Sequence, residues 1–150
     1  MQANTAFIGE MVDAGVLVFG DFILKSGLSS PYFFNLGNIS SGRTLSNLGY
    51  VFAKYIYDLN LVPDILFGPA YKGIPLATAT AIALTDMSQD VKVAFNRKER
   101  KKHGEASELI GAELDSSRVL ILDDVVTDGA TKAEAFAMIR ALGGEPIGVL

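Results

Sequence analysis

The chain contains no cysteine and only one histidine, His103. A disulfide scaffold, a cysteine nucleophile and a thiolate metal centre are therefore excluded, as is a zinc site built from His and Cys. Long apolar runs are also missing. Lys54, Asp58 and Asp64 interrupt the middle of the chain, and the stretch 79–84 is far too short to span a bilayer. The start, MQANTAFIGEMVDAG, has neither a basic n-region nor an apolar h-region, so no secretion signal is read there. No repeat, low-complexity tract or linker divides the chain. The expectation is a soluble, cytoplasmic protein with no membrane partner.

At 150 residues, 49% of them hydrophobic, the chain is long enough for one domain with a core of ordinary size. Its net charge of −4 is unevenly spread. Residues 97–103 carry +4 by count, five cations less Glu99, which leaves −8 for the remainder. That balance argues against a broad duplex-DNA face and against nucleic acid as a partner. A small, highly charged anion held at one place fits better.

The hydrophobic pattern predicts a helix over 4–14, capped by Asn4 and ended by Gly15. Two aromatic-rich runs around a Gly/Ser turn then predict a hairpin, followed after Gly42 by a helix with Leu45, Leu48, Phe52, Ile56 and Leu59 on one stripe. From there strands alternate with helices. Strands are expected at 65–67, 91–95, 119–122 and from 147, and helices at 74–84 and 131–142. This order predicts right-handed crossovers and a parallel sheet, an α/β fold with a small N-terminal addition. Ligands of such sheets gather at the carboxyl ends of the strands. Three strand ends here carry unusual chemistry.

The first is Leu120-Ile121-Leu122-Asp123-Asp124-Val125-Val126-Thr127-Asp128-Gly129-Ala130-Thr131. An apolar strand runs into two adjacent carboxylates, and a Gly-containing turn opens a helix. Backbone N–H groups at a helix start, with the Thr127 and Thr131 hydroxyls, can cradle a phosphate. The two acids can hold ribose hydroxyls, or a magnesium ion through water. The plainer alternative is a solvated strand end, with Asp128 or Thr127 capping the helix. No P-loop and no Gly-x-Gly-x-x-Gly after a strand is present. The acid spacing also fails a haloacid-dehalogenase-type phosphatase, since Val125 stands two residues after Asp123 and Val126 two after Asp124.

The second is Lys25-Ser26-Gly27-Leu28-Ser29-Ser30-Pro31-Tyr32-Phe33-Phe34-Asn35, where aromatic faces can stack on a flat heterocycle beside an ammonium. The alternative is that Phe33 and Phe34 alternate in a strand, one in the core and one beneath the hairpin. The third is Asn96-Arg97-Lys98-Glu99-Arg100-Lys101-Lys102-His103-Gly104-Glu105, too charged to pack. It is either a solvated loop or a set of cations for the negative charge that develops on a leaving group.

Together these segments resemble the type I phosphoribosyltransferase family, and within it the branch that uses orotate. The acidic strand end is similar to the family's phosphoribosyl pyrophosphate motif. The resemblance implies that Asp123 and Asp124 contact the ribose hydroxyls. It implies too that Thr127, Asp128, Gly129, Ala130 and Thr131 hold the 5′-phosphate, with Val125 and Val126 among the contacts to phosphoribosyl pyrophosphate. Gly68-Pro69-Ala70-Tyr71-Lys72-Gly73 resembles the pyrophosphate loop, with Tyr71 and Lys72 as its ligand-contacting pair. Lys25, Arg97, Lys98, Lys101 and His103 are implied as further contacts to phosphoribosyl pyrophosphate, and Lys25, Phe33, Phe34 and Thr127 as contacts to orotate. Lys72, Lys98, Lys101, His103, Asp123 and Asp124 are the implied catalytic set. Asp128 departs from the family, whose members more often have a small residue there, as does Ala130, where they have a hydroxyl nearby.

The implied fold is a parallel sheet flanked by helices, with an N-terminal hood over about 1–42 and an α/β core over about 43–150. The implied reaction joins orotate and phosphoribosyl pyrophosphate to give orotidine 5′-monophosphate and pyrophosphate, in pyrimidine (UMP) biosynthesis. Mg2+ is the implied cofactor, held through substrate and water rather than by protein ligands. A homodimer sharing the basic loop between subunits is the implied assembly. The family continues beyond the position of Leu150 with more sheet and helix, including an arginine that contacts orotate, so a C-terminal part is expected to be missing here. Two other readings stay open: a phosphoribosyltransferase for another base, and a non-catalytic regulator that binds phosphoribosyl pyrophosphate.

Overall fold

In the computed structural model, residues 5–24, 27–98, 108–125 and 129–150 are described. The first helix, α1 (Thr5–Asp13), buries Met11 and stops where Gly15 turns to φ 65°. Strands β1 (Leu17–Ile23) and β2 (Ser29–Phe34) form an antiparallel pair, the predicted hairpin, with an irregularity between Phe19 and Phe22. A short 3-10 turn (Leu36–Asn38) leads to α2 (Gly42–Asp58), capped by the Ser41 hydroxyl, which accepts from the Arg43 and Thr44 amides. The stripe expected on α2 is corrected at one end. Leu48 and Ile56 are buried, but Leu59 lies past the last turn and is 55% exposed.

Next come β3 (Ile65–Phe67), α3 (Gly73–Asp86), β4 (Lys92–Asn96), β5 (Leu109–Gly111), β6 (Arg118–Ile121), α4 (Ala130–Ala141) and β7 (Glu145–Val149). The main sheet has the order β5-β4-β3-β6-β7. Strands β4, β3, β6 and β7 are parallel, as the alternation of elements predicts, and β5 runs antiparallel to β4. No strand is predicted at β5. Three residues are too few to show a period of two, and the pairing with Ala94, Phe95 and Asn96 makes them a strand.

The alternating sides of the strands separate two apolar layers. Leu66 and Leu120 pack with Leu48, Ile56, Leu76 and Leu84 of α2 and α3, while Phe67, Val119 and Ile121 pack with Ala135 and Ile139 of α4. Each fully buried Leu, Ile, Val or Phe among them stabilises the fold by about 1.5–3 kcal/mol. These layers make the sheet a rigid base for the loops at its edge. No helix among the described residues is long and apolar enough to cross a membrane.

Helices α2 and α3 touch backbone to backbone. A Cβ added at Gly49 would stand 2.6 Å from the Ala79 carbonyl group, whereas one at Gly42 would meet nothing within 4 Å. Gly49→Ala should therefore push the two helices apart and lower stability by about 1–3 kcal/mol. Gly42→Ala, in the first turn of the same helix, should not destabilise. Urea unfolding of the two variants checks this, and equal midpoints would remove the close approach as a constraint.

Candidate functional site

Strand β3 hydrogen-bonds to β4 on one side and β6 on the other, so the carboxyl ends of all three open at one edge. The loop 68–73 leaves β3 and folds back sharply. A Cβ on Gly73 would lie 2.7 Å from Pro69 Cδ and 2.8 Å from the Leu122 carbonyl oxygen, so only glycine fits between this loop and the end of β6. From the other side, the Ala70 amide donates to Asn96 Oδ1 at 2.8 Å. One side chain at the end of β4 thus fixes the loop that follows β3.

The charged groups meet in two pairs. Lys72 Nζ reaches Asp124 Oδ2 at 3.1 Å and donates to Asn35 Oδ1 at 3.2 Å. Lys132, on the first turn of α4, makes an ion pair with Asp123 and donates to the Val125 carbonyl at 2.6 Å. The Asp124 amide donates to Asp123 Oδ1 at 2.9 Å. Side chains of Asp123, Asp124 and Lys132 are each 12% exposed, against 47% for Lys72. Two cations therefore balance two carboxylates, and removing either partner of a largely buried pair leaves an uncompensated charge.

Tyr71 is 64% exposed, with Lys98 Nζ 4.8 Å from its ring centroid, so the start of the basic segment lies over the 68–73 loop. Arg97 is exposed, and its amide donates to the Glu108 carbonyl at 2.8 Å. Phe34 packs against the core, while Phe33 is exposed with its ring 5.5 Å from that of Phe22. That division agrees with the alternation expected of a strand. Asn35, immediately after Phe34, nevertheless brings the end of β2 to Lys72. Val125 and Thr131 are exposed.

Lys25, Lys101, His103, Val126, Thr127 and Asp128 lie outside the described residues, and Ala130 is described in its backbone alone. The alternative in which Asp128 or Thr127 caps α4 rests on residues outside the described ones. The N-cap is Gly129, at φ 79° and without a side-chain cap.

Three residues of the site have no role in the sequence reading: Asn35, Asn96 and Lys132. The first two stand inside singled-out segments but bond through amides, which carry no charge signature. Lys132 has a visible signal. A lysine in the first turn of a helix opposes the helix dipole and needs a local reason.

Among the described residues no cluster of three or more acidic, His or Cys side chains could hold a metal ion. Asp123 and Asp124 supply hard oxygen donors from one side only. They suit a hydrated divalent ion brought in on a ligand's own oxygens. Ammonium groups on one loop beside carboxylates on the next suit a ligand with both phosphate oxygens and hydroxyls.

These features define a class, the parallel-sheet α/β proteins whose ligands sit where strand order reverses about a central strand. The chain belongs to the phosphoribosyl transferase family, whose domain it matches over residues 39–150. It is 54% identical over 145 residues to an orotate phosphoribosyltransferase of Chromohalobacter salexigens, covering 96% of this chain and 62% of that protein. To the orotate phosphoribosyltransferase of Stenotrophomonas maltophilia it is 51% identical, covering 96% and 66%. A crystal structure of orotate phosphoribosyltransferase from Francisella tularensis superimposes with a TM-score of 0.83 at 39% identity, covering 96% of this chain and 68% of that one. The chain thus spans slightly less than two thirds of the length of both curated relatives.

Asn96→Ala should leave the Ala70 amide without its acceptor in a part-buried position. The expected loss of stability is about 1–3 kcal/mol, read from denaturant unfolding. A variant as stable as the parent would mean that the loop 68–73 is held by its glycines alone.

Proposed function

We propose that the chain is the substrate-binding part of an orotate phosphoribosyltransferase, which transfers ribose 5-phosphate from phosphoribosyl pyrophosphate to orotate. The observation that carries this reading is the Lys72–Asp124 contact of 3.1 Å. It joins the loop that would take pyrophosphate to the acids that would take the ribose, two halves of one substrate. Relatives at 50–54% identity with the same enzyme name support the choice of base.

In the reaction, orotate N1 gives up its proton to water and forms the bond to C1′ as the C1′–O bond breaks. The bonding electron pair leaves with pyrophosphate, through an oxocarbenium-like state. No protein nucleophile is required. Catalysis comes from positioning and from cations at the leaving group. Asp123 and Asp124 orient the ribose hydroxyls. Lys72 turns from Asp124 to the pyrophosphate, and Lys98, Lys101 and His103 add charge from the basic loop. The helix start at Gly129 to Thr131 receives the 5′-phosphate, while Lys25, Phe33 and Thr127 face the base. Magnesium, when bound, would supply divalent charge that offsets the negative charge developing on the leaving group. The two acids would reach it through water. The working unit is a homodimer in which the basic loop serves the neighbouring site.

Asp124→Asn keeps the size of the side chain and removes its charge. Binding of phosphoribosyl pyrophosphate in the whole protein should weaken roughly 10- to 150-fold, the equivalent of about 1.5–3 kcal/mol, with the fold intact. Calorimetry measures it, and an unaltered affinity would return the acids to the status of a solvated strand end. Parallel assays with orotate, uracil and hypoxanthine test the base, and turnover of uracil or hypoxanthine in preference to orotate would replace it.

The shared loop has its own test. Lys101→Ala and Asp124→Asn should each be nearly inactive. Random subunit exchange makes half the dimers mixed, each with one intact site, so about a quarter of wild-type activity should return. No recovery, with exchange verified separately, places the loop over its own subunit.

A further inference from the structure

Lys132 is the third residue of α4 (Ala130–Ala141), where a cation faces the positive end of the helix dipole. Its side chain is nonetheless only 12% exposed, and its ammonium is committed twice within the segment that precedes the helix. One bond is the ion pair with Asp123 and the other goes to the Val125 carbonyl at 2.6 Å. Asp123 is held from its other oxygen by the Asp124 amide, at 2.9 Å. Lys72, at the start of α3, also has two partners, but it is 47% exposed and both partners, Asp124 and Asn35, lie on other elements.

We propose that Lys132 is a positioning residue for the ribose 5-phosphate half of the site. By holding the Asp123 carboxylate and the Val125 carbonyl at once, it fixes the chain leaving β6 against the first turn of α4. Asp123 is thereby aimed as a hydrogen-bond acceptor, and the amides at the helix start are aimed at a phosphate. The charge of Lys132 is used inside the protein and does not neutralise the leaving group. This inference rests on the proposed function, because it assigns Lys132 to one half of phosphoribosyl pyrophosphate.

The test is calorimetric titration of the whole protein with two separate probes, ribose 5-phosphate and pyrophosphate, each with magnesium. Lys132→Met should weaken ribose 5-phosphate about 10- to 100-fold and change pyrophosphate affinity less than about twofold. In turnover, the loss should appear in KM for phosphoribosyl pyrophosphate more than in kcat. Lys132→Arg, which keeps the charge and can donate to both partners, should restore ribose 5-phosphate binding to within about fivefold of wild type. If Lys132→Met does not fold, as judged by circular dichroism, Lys132→Gln removes the charge and keeps a donor for the Val125 carbonyl. It should show the same selective loss. Equal losses for both probes, no loss, or no recovery with Arg would overturn the role of Lys132. A wild-type protein that binds neither probe would overturn the proposed function itself, and this inference with it.

Discussion

A single strand bonded on both sides sets the geometry on which the site depends. Strand β3 (Ile65–Phe67) pairs with Lys92–Ala94 of β4 and with Val119–Ile121 of β6, all in the same direction. The ladder continues to the last residue before the loops, with the Gly68 amide donating to the Ala94 carbonyl at 3.0 Å and the Leu122 amide to the Phe67 carbonyl at 2.9 Å. Three loops distant in sequence therefore begin at fixed positions side by side. Because Ile65, Leu66 and Phe67 are all fully buried, the strand cannot tilt without opening both apolar layers. The site inherits that rigidity.

Upon this base the site carries a balanced set of charges. Its two acids follow an apolar strand and are only 12% exposed, which two bare carboxylates would tolerate poorly. Each has a lysine, and the two lysines differ in what they can do. The exposed one, Lys72, bridges elements and can leave. The sheltered one, Lys132, ties Asp123 and the Val125 carbonyl to the first turn of α4. Under the proposed function, a ligand with phosphate oxygens would exchange partners with the first while the second keeps its two contacts. Asn35 and Asn96 complete the frame, linking the hairpin and β4 to the loop 68–73.

Much of this was readable in the sequence because it depends on local patterns. Apolar runs at 65–67 and 119–122 between helical periodicities specify parallel strands, and the apolar stripe after Gly42 specifies a helix. Adjacent acids directly after a strand, glycines in 68–73 and a dense run of cations at 97–102 are chemical signals independent of packing. By that reasoning the sequence brings Asp123, Asp124, Lys72, Tyr71 and Lys98 to one edge. Family resemblance then implies a role for each.

What the tertiary structure decided is who meets whom. Strand β5 exists because Ala94 to Asn96 offer it a partner, and no period within three residues announces that. Nor does the sequence say that Asn96 holds the Ala70 amide, that Asn35 joins Lys72, or that Lys72 chooses Asp124 and Lys132 chooses Asp123. These contacts reach across 26, 37, 52 and 9 positions respectively. Composition and periodicity report which faces of an element are apolar and where chemistry is concentrated. Pairing between distant polar groups depends on strand order and on distances of a few ångströms, which are set only when the sheet has closed its two apolar layers around β3.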